Sequence, residues 1–186
     1  METKFIFLDR DGVINKDPGE IGKSYVTSWD EFDFLPGVLE ALKALKGNGY
    51  RVAIISNQAG IARGVYQQEE LDGITKNMLS RIEAFGGKIE SVQYCVHADK
   101  DNCDCRKPKT GSFTRATKGL KVDFSKTYFI GDTKSDIEAG KNLGAGTILV
   151  LSGKTRDEKE TLEWAIRPDH IKNDLKDAVD FILAHK

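Results

Sequence analysis

The chain alternates short apolar runs with longer amphipathic segments. Five runs are rich in β-branched and aromatic residues and are apolar on both faces, which is typical of buried parallel strands. They cover residues 5–8, 52–55, 92–96, 128–130 and 147–151. Between and after them, apolar residues recur at helical spacing. The predicted helices cover residues 36–45, 71–85, 112–118, 136–143 and 175–184.

This order of elements, strand and helix in turn, predicts the α/β class with a doubly wound parallel sheet of the Rossmann type. We expect one domain over residues 1–186, with no separate cap domain, because no insertion is large enough to form one. The segment 154–168 is charged and weakly patterned, so its structure is the one that the sequence defines least. A single domain of 186 residues can bury about 70% of its unfolded surface. It needs no partner to form a core, and we expect a monomer.

Charge and hydropathy exclude two broad classes of partner. The chain has 28 Lys+Arg and 29 Asp+Glu, a net charge of −1, so no long-range basic field favours nucleic acid. No apolar stretch approaches the roughly 20 residues that a membrane helix needs. The N-terminal sequence leads directly into the first strand and does not resemble a signal peptide. We therefore expect a soluble cytoplasmic protein that binds neither nucleic acid nor membrane.

Three connections are longer than is usual in such folds, and all three follow predicted strands: residues 12–35, 57–67 and 98–110. In an open parallel sheet the carboxyl ends of the strands form the ligand-binding edge. The sequence therefore predicts that the functional site lies at this edge.

Four carboxylates are carried to that edge by two strands. Asp9 and Asp11 follow the first strand, and Asp132 and Asp136 follow the fourth. Acids after strands are often ordinary turn or capping residues, and for either pair alone this interpretation is as well supported as a functional one. Together they favour a bound cation, and hard oxygen ligands favour Mg²⁺.

Polar and basic residues at the same edge suggest an anion site. Ser56 and Asn57 open a segment with small residues whose backbone N–H groups can approach a ligand closely. Arg106 and Lys107 add cations that can hold a phosphate. A strand-end Ser-Asn is often a simple cap, and a charge run is usually a solvated face, so these signals are weak when taken singly.

All three cysteines lie close together in the chain. Cys95, His97, Cys103 and Cys105 supply three thiolates and one imidazole, which is a closed tetrahedral set for structural Zn²⁺. The alternatives are buried free thiols and a redox-active Cys-x-Cys pair with a lowered pKa. We favour a zinc ion that stabilises the loop 95–105.

Read in order, these residues resemble the four motifs of the haloacid dehalogenase superfamily of phosphatases. Asp9-Arg-Asp-Gly-Val is similar to the first motif and Ser56 to the second. Lys107 is similar to the third motif, and Gly131-Asp132 with Asp136 to the fourth. The resemblance covers nearly the whole chain and implies hydrolysis of a phosphate ester through an aspartyl-phosphate.

The resemblance also assigns roles. Asp9 is the implied nucleophile, and Asp11 the implied general acid and base. Asp9, the backbone carbonyl of Asp11, and Asp132 are the implied Mg²⁺ ligands, while Ser56 and Lys107 bind the phosphoryl group. Candidate substrate contacts are Asn57, Arg63, Arg106 and Thr133.

Within the superfamily, the segment 56–64, the Cys-Arg-Lys-Pro-Lys motif and the Cys/His set resemble the D-glycero-D-manno-heptose 1,7-bisphosphate phosphatases. We therefore expect a sugar bisphosphate to lose its C7 phosphate. The short gap from His97 to Cys103 instead resembles histidinol-phosphate phosphatases, which remain the main alternative. Polynucleotide 3′-phosphatases share the Asn-Gln-x-Gly segment, and a non-enzymatic phospho-receiver also clusters acids around Mg²⁺; both fit less well.

Overall fold

A parallel six-stranded sheet with the order β3-β2-β1-β4-β5-β6 organises the chain. The computed structural model describes residues 3–185. The strands are β1 (Phe5–Leu8), β2 (Arg51–Asn57), β3 (Ser91–Cys95), β4 (Tyr128–Gly131), β5 (Gly146–Val150) and β6 (His170–Lys172). The helices are α1 (Val38–Gly47), α2 (Gln68–Phe85), α3 (Gly111–Ala116), α4 (Lys134–Leu143) and α5 (Leu175–Ala184).

The strand order reverses at β1, and this reversal positions the functional edge. The chain moves outward from β1 through β2 to β3, then returns to place β4 on the other side of β1. The connections after β1 and β4 therefore diverge and leave a crevice at the carboxyl ends of these two strands. The pairing of Leu8 with Ile130 brings the residues that follow both strands to the same level.

Two apolar layers cover the sheet, one on each face. Alternate β1 side chains serve opposite layers, because successive residues of a strand point to opposite faces. Ile6 and Leu8 pack in the layer that contains α1, α2 and α5. Phe5 and Phe7 pack with residues of α3 and α4. The doubly wound α/β fold predicted from the sequence is confirmed.

The element boundaries differ from the predicted ones in ways that follow from position in the sheet. Strand β6 was not predicted, because it has three residues and no apolar pattern of its own; within residues 3–185 it pairs with β5 alone. The third strand was expected to be buried on both faces, but β3 lies at the sheet edge and is mostly half-buried. Segment 154–168 contains a 3₁₀ helix, Glu158–Glu163.

Helix α2 begins three residues before its apolar stripe, because its first turn is polar. Glu70 accepts a hydrogen bond from the backbone N–H of Gln67 at 2.7 Å and so caps the helix. Among the helices of residues 3–185, none is both long and apolar enough to cross a bilayer.

We expect Phe113→Ala to lower the free energy of unfolding by about 3–5 kcal/mol. Phe113 is fully buried and meets the rings of Phe7 and Phe129 edge-on at 5.1 and 5.0 Å. Chemical denaturation followed by circular dichroism measures the change. Phe85→Ala is the control: Phe85 is 41% exposed, so its truncation should change stability by less than about 1 kcal/mol. Equal losses at the two positions would contradict this packing.

Candidate active site

The crevice between the ends of β1 and β4 holds a cleft of about 190 Å³. Asp9 directly follows β1, and its backbone N–H donates to the carbonyl of Ile130 in β4 at 3.0 Å. This bond places Asp9 beside Asp132, which directly follows β4. The cleft is lined by Asp9, Asp11, Asp17, Pro18, Ser24, Tyr25, Ser56, Asn57, Lys107, Asp132, Thr133, Ser135 and Lys154.

Three buried carboxylates and one ammonium group form the floor of this cleft. Asp9, Asp132 and Asp136 each offer an oxygen, and these oxygens lie within 4.8 Å of one another. Lys107 Nζ lies 3.0 Å from Asp9 Oδ1 and 2.7 Å from Asp136 Oδ1. Its third contact is a hydrogen bond of 2.9 Å to the carbonyl of Ile55 in β2. One cation thus faces three carboxylates, so the cluster attracts a further cation.

The pKa values reflect this imbalance. Burial raises the pKa of Asp9 to about 6, although the charge of Lys107 opposes the rise. Burial, reinforced by the charges of Asp136 and Asp9, raises the pKa of Asp132 well above its ordinary value. Burial alone would lower the pKa of Lys107, but Asp136 and Asp9 outweigh burial and raise it. A divalent cation at this position would favour the ionised carboxylates.

Asp132 and Asp136 differ in how fully their oxygens are used. Asp136 Oδ2 accepts hydrogen bonds from the N–H groups of Asp132 and Thr133 and from Thr133 Oγ1, and its Oδ1 contacts Lys107. Asp132 Oδ2 accepts only from the backbone N–H of Lys154 at 2.7 Å, and its buried Oδ1 has no partner among residues 3–185. Asp132 is therefore the carboxylate with an oxygen to offer a metal ion, while Asp136 orients Lys107 and the start of α4.

Gly12 is required by the close approach of Asp132. Its φ is +80°, and a Cβ atom there would lie 2.4 Å from Asp132 Oδ2. A side chain at position 12 would both strain the backbone and displace this carboxylate. The Asp-Gly pair in the first motif therefore has a steric reason.

Asp11 points into a set of fixed donors beside the cluster. Its Oδ1 accepts from Asn15 Nδ2 at 2.9 Å and from Arg10 Nε at 3.1 Å. Its Oδ2 accepts from Gln58 Nε2 at 2.8 Å and from Arg10 Nη2 at 3.1 Å. The carboxylate is largely buried but still lines the cleft. Asp11 is thus held separately from the three carboxylates around Lys107.

The predicted phosphoryl-binding residues meet at the cleft. Ser56 Oγ accepts from Gln58 Nε2 at 3.2 Å, which leaves its own hydroxyl proton available for a ligand oxygen. Asn57 exchanges two hydrogen bonds with the backbone of Lys107, 3.1 Å from Lys107 N–H to Oδ1 and 3.3 Å from Nδ2 to the Lys107 carbonyl. Asn57 therefore joins the end of β2 to the segment that carries Lys107.

The remaining predicted substrate contacts are distributed around the cleft. Thr133 lines the cleft, but its hydroxyl donates to Asp136 Oδ2 at 2.6 Å and serves as a helix cap. Arg63 and Arg106 do not line the cleft. Both lie against Asp99 in the third long connection, and Arg106 Nε donates to its Oδ1. The two arginines thus form a second cationic group near the predicted zinc ligands in the loop 95–105.

Sequence reasoning missed four residues that organise the site: Arg10, Asn15, Gln58 and Tyr66. Arg10 and Gln58 are fully buried polar side chains, and Tyr66 OH donates to Gln58 Oε1 at 2.6 Å. Arg10 belongs to the first motif, Asn15 lies two residues after it, and Gln58 follows Asn57, so their positions in the chain were a signal. Their contacts depend on the tertiary fold, and the sequence alone does not show them.

The four zinc-type ligands converge as predicted. The Sγ atoms of the three cysteines lie 3.2–3.5 Å apart, and His97 Nδ1 lies 3.2 Å from Cys105 Sγ. These sulfur separations are too long for a disulfide. They approach the roughly 3.8 Å edge of a tetrahedron with Zn–S bonds of about 2.3 Å. Burial raises the pKa of Cys95 to about 12, so a thiolate at this position requires a nearby cation.

Comparison with known proteins agrees with the motifs. Residues 104–178 match a family model described as HAD-hydrolase-like. The chain is 37% identical over 190 residues to the D-glycero-β-D-manno-heptose-1,7-bisphosphate 7-phosphatase of Haemophilus ducreyi, an alignment that covers 98% of this chain and all of the relative. The chain belongs to the haloacid dehalogenase superfamily of phosphatases.

Two further comparisons, one of sequence and one of structure, support this membership. The enzyme of the same name from Vibrio cholerae is 39% identical over 167 residues, which cover 86% of this chain and 87% of the relative. A crystal structure of D,D-heptose 1,7-bisphosphate phosphatase from B. bronchiseptica, complexed with magnesium and phosphate, has a TM-score of 0.88. It is 31% identical and covers 98% of this chain and 99% of its own. The haloacid dehalogenase fold thus extends over nearly the whole chain.

Proposed function

We propose that this phosphatase removes the C7 phosphate of D-glycero-D-manno-heptose 1,7-bisphosphate with Mg²⁺ as cofactor. The observation that carries the proposal is the full-length similarity to enzymes of that name, together with the buried carboxylate cluster. The histidinol-phosphate alternative rested on the short gap between His97 and Cys103. The relatives described above favour the heptose bisphosphate.

The carboxylate cluster fits a magnesium ion. Asp132 Oδ1 is buried without a partner among residues 3–185, and Lys107 contacts only two of the three clustered carboxylates, those of Asp9 and Asp136. Asp9, the backbone carbonyl of Asp11, and Asp132 would hold the ion. When bound, Mg²⁺ supplies positive charge that offsets the repulsion between the carboxylates and an incoming phosphate.

The geometry of Asp9 suits a nucleophile. Both of its hydrogen-bond donors contact Oδ1: the backbone N–H of Arg10 at 2.7 Å and Lys107 Nζ at 3.0 Å. Oδ2 has no donor among residues 3–185 and is the oxygen that we assign to attack phosphorus. The new Oδ2–phosphorus bond forms as the bond from phosphorus to the C7 oxygen breaks.

Asp11 completes both halves of the reaction. It donates a proton to the departing C7 oxygen, and then accepts a proton from the water that attacks phosphorus and releases Asp9. Ser56 donates its hydroxyl proton to an oxygen of the phosphoryl group, and the charge of Lys107 stabilises that group. The different roles of Asp9 and Asp11 explain why these two carboxylates, on one loop, have different surroundings.

A second phosphate on the substrate fits the second cationic group. Among residues 3–185, Arg63 and Arg106 both form their ion pair with Asp99, so two positive charges face one carboxylate there. A bisphosphate uses this charge for its C1 phosphate, whereas a monophosphate does not. The proposal also includes a cytoplasmic location, because a reducing compartment keeps the cysteine ligands from forming disulfides. It includes a monomer as well, because a domain of this size can form its core without a partner.

We further propose that Cys95, His97, Cys103 and Cys105 hold a structural Zn²⁺. Lys107 lies two residues after Cys105, so the metal fixes the segment that carries Lys107 into the cleft. The set has four ligands and leaves no open position for substrate.

A steady-state comparison tests the substrate. We expect kcat/KM for the heptose 1,7-bisphosphate to exceed that for histidinol phosphate by roughly 10²-fold or more, because only the former carries two phosphates. A 3′-phosphorylated oligonucleotide should not be hydrolysed measurably. Chelation of Mg²⁺ should abolish hydrolysis of both the heptose 1,7-bisphosphate and histidinol phosphate. Faster turnover of histidinol phosphate would show the proposed substrate to be wrong.

Asp9→Asn should lower kcat by about 10³-fold or more, because an amide does not replace the attacking carboxylate. Its melting temperature without metal should equal or exceed that of the wild type, since the change removes one of three crowded carboxylates. Asp33→Asn, at an exposed acid, is the control and should retain full activity. Turnover of Asp9→Asn within tenfold of wild type would rule out Asp9 as the nucleophile.

About one zinc ion per chain should copurify and survive chelation that removes Mg²⁺. Cys103→Ser should reduce zinc content and melting temperature together, because metal binding stabilises the folded loop. Elemental analysis and differential scanning fluorimetry measure both changes. Lys100→Ser, an exposed change in the same loop, should alter neither. Zinc-free protein that retains the wild-type melting temperature would overturn the zinc proposal.

A further inference from the structure

Gln58 lies between Asp11 and Ser56, two groups of the proposed reaction, and its side chain forms a hydrogen bond to each. Its Nε2 donates to Asp11 Oδ2 at 2.8 Å and to Ser56 Oγ at 3.2 Å. Its Oε1 accepts from Tyr66 OH at 2.6 Å. The side chain is fully buried, so water does not compete for these bonds.

Gln58 differs from the other donors to Asp11 in where it comes from. Arg10 and Asn15 belong to the same turn as Asp11, one and four residues away in sequence. Asn15 moves with that turn, whereas Arg10 also lies over the ring of Tyr94 in β3, 5.5 Å from its centroid, and so packs the turn against the sheet. Gln58 follows β2, 47 positions along the chain. Among residues 3–185 it is the side-chain donor to the Asp11 carboxylate that comes from outside this turn, and it joins that carboxylate to the end of β2, where the phosphoryl group would bind.

The orientation of the Gln58 amide depends on Tyr66. A side-chain amide can turn over and exchange its oxygen and nitrogen with almost no change in shape. The Tyr66 hydroxyl, as a donor to Oε1, favours the orientation that points Nε2 at Asp11. Burial raises the pKa of Tyr66, so the phenol keeps its proton and remains a donor.

Tyr66 is itself held rigidly. It is 3% exposed, and its ring lies against Gly60, where a Cβ atom would come within 2.3 Å of Tyr66 Cε1. The ring of Tyr25, from the first long connection, packs against it at a centroid distance of 5.9 Å. Two of the three long connections therefore fix the hydroxyl that orients Gln58.

We infer that Tyr66 and Gln58 are positioning residues that hold Asp11 where it can protonate the departing oxygen. The inference rests on the proposed general-acid role of Asp11. It assigns to Tyr66, which does not line the cleft, an effect on one chemical step only. That step is the breakage of the bond between phosphorus and the leaving oxygen.

Leaving groups of different basicity isolate this step. An alkyl oxygen needs a proton as it departs, whereas 4-nitrophenolate is stable as an anion and needs little help. The ratio kcat/KM reports events up to formation of the aspartyl-phosphate, so a slow later hydrolysis does not mask the effect. A loss of general-acid positioning should lower kcat/KM for the alkyl ester much more than for the aryl ester.

The experiment compares Tyr66→Phe with the wild type, both loaded with Mg²⁺, on the heptose 1,7-bisphosphate and on 4-nitrophenyl phosphate. For the alkyl ester we expect kcat/KM to fall by roughly 10–100-fold, a fraction of the contribution of a general acid. For the aryl ester we expect a fall of less than about threefold. Gln58→Met, of similar length but without donors, should show the same selective loss, and Asp11→Asn sets its upper limit.

The ratio of the two kcat/KM values is independent of the fraction of folded enzyme, because both substrates sample the same enzyme. Lower stability of a variant therefore does not imitate the effect. Tyr50→Phe is the matched control and should leave both values unchanged. Tyr50 directly precedes β2, at the amino end of the sheet and so away from the cleft.

Equal losses on the two esters, or no loss on either, would overturn the inference, since a purely structural role lowers both. A wild-type enzyme inactive on both esters would contradict the proposed function instead. If the wild type hydrolyses only the aryl ester and glycerol 3-phosphate, the heptose assignment is wrong. Glycerol 3-phosphate then replaces it as the alkyl ester, and the same selective loss decides the role of Tyr66.

Discussion

The rest of the site depends on the contacts made by the buried ammonium group of Lys107. It reaches Asp9 after β1, Asp136 in α4 and the carbonyl of Ile55 in β2, so it joins three parts of the fold at one point. Carboxylates this close repel one another, and a buried cation between them reduces that repulsion. The strand order provides for this arrangement, because β1 lies between β2 and β4.

Lys107 reaches this position from a connection with little apolar material of its own. Two features hold the connection in place. Asn57 exchanges hydrogen bonds with the Lys107 backbone, and the cysteine and histidine ligands gather just before it. The Cys/His cluster and the carboxylate cluster are therefore connected by the short segment that carries Lys107. Zinc at the first cluster would, as proposed, stabilise this segment, and two carboxylates of the second cluster contact the ammonium group of Lys107.

The sequence predicted most of the fold and the chemical groups, and the reason is local. Buried strands such as β1 and β4 consist of apolar residues on both faces, and acids that follow them are visible as pattern breaks. The edge strand β6 was missed because pairing with β5, not its own composition, defines it. The roles of Gln58 and Tyr66 were missed because each depends on a neighbour from another part of the chain. Arg63 and Arg106 were noted as cations, but their shared partner Asp99 is evident only in three dimensions.

The order of the ligands along the chain has a consequence for biosynthesis. All four zinc-type ligands precede residue 106, whereas β4 and Asp132 come later. A nascent chain that has left the ribosome up to Cys105 carries β1, β2 and β3 and the complete metal-binding set. The four residues proposed to bind zinc are therefore all synthesised before Asp132 and Asp136. Lys107 follows two residues after Cys105, so it too is synthesised before these two carboxylates, and its ion pair with Asp136 forms only once α4 has been made.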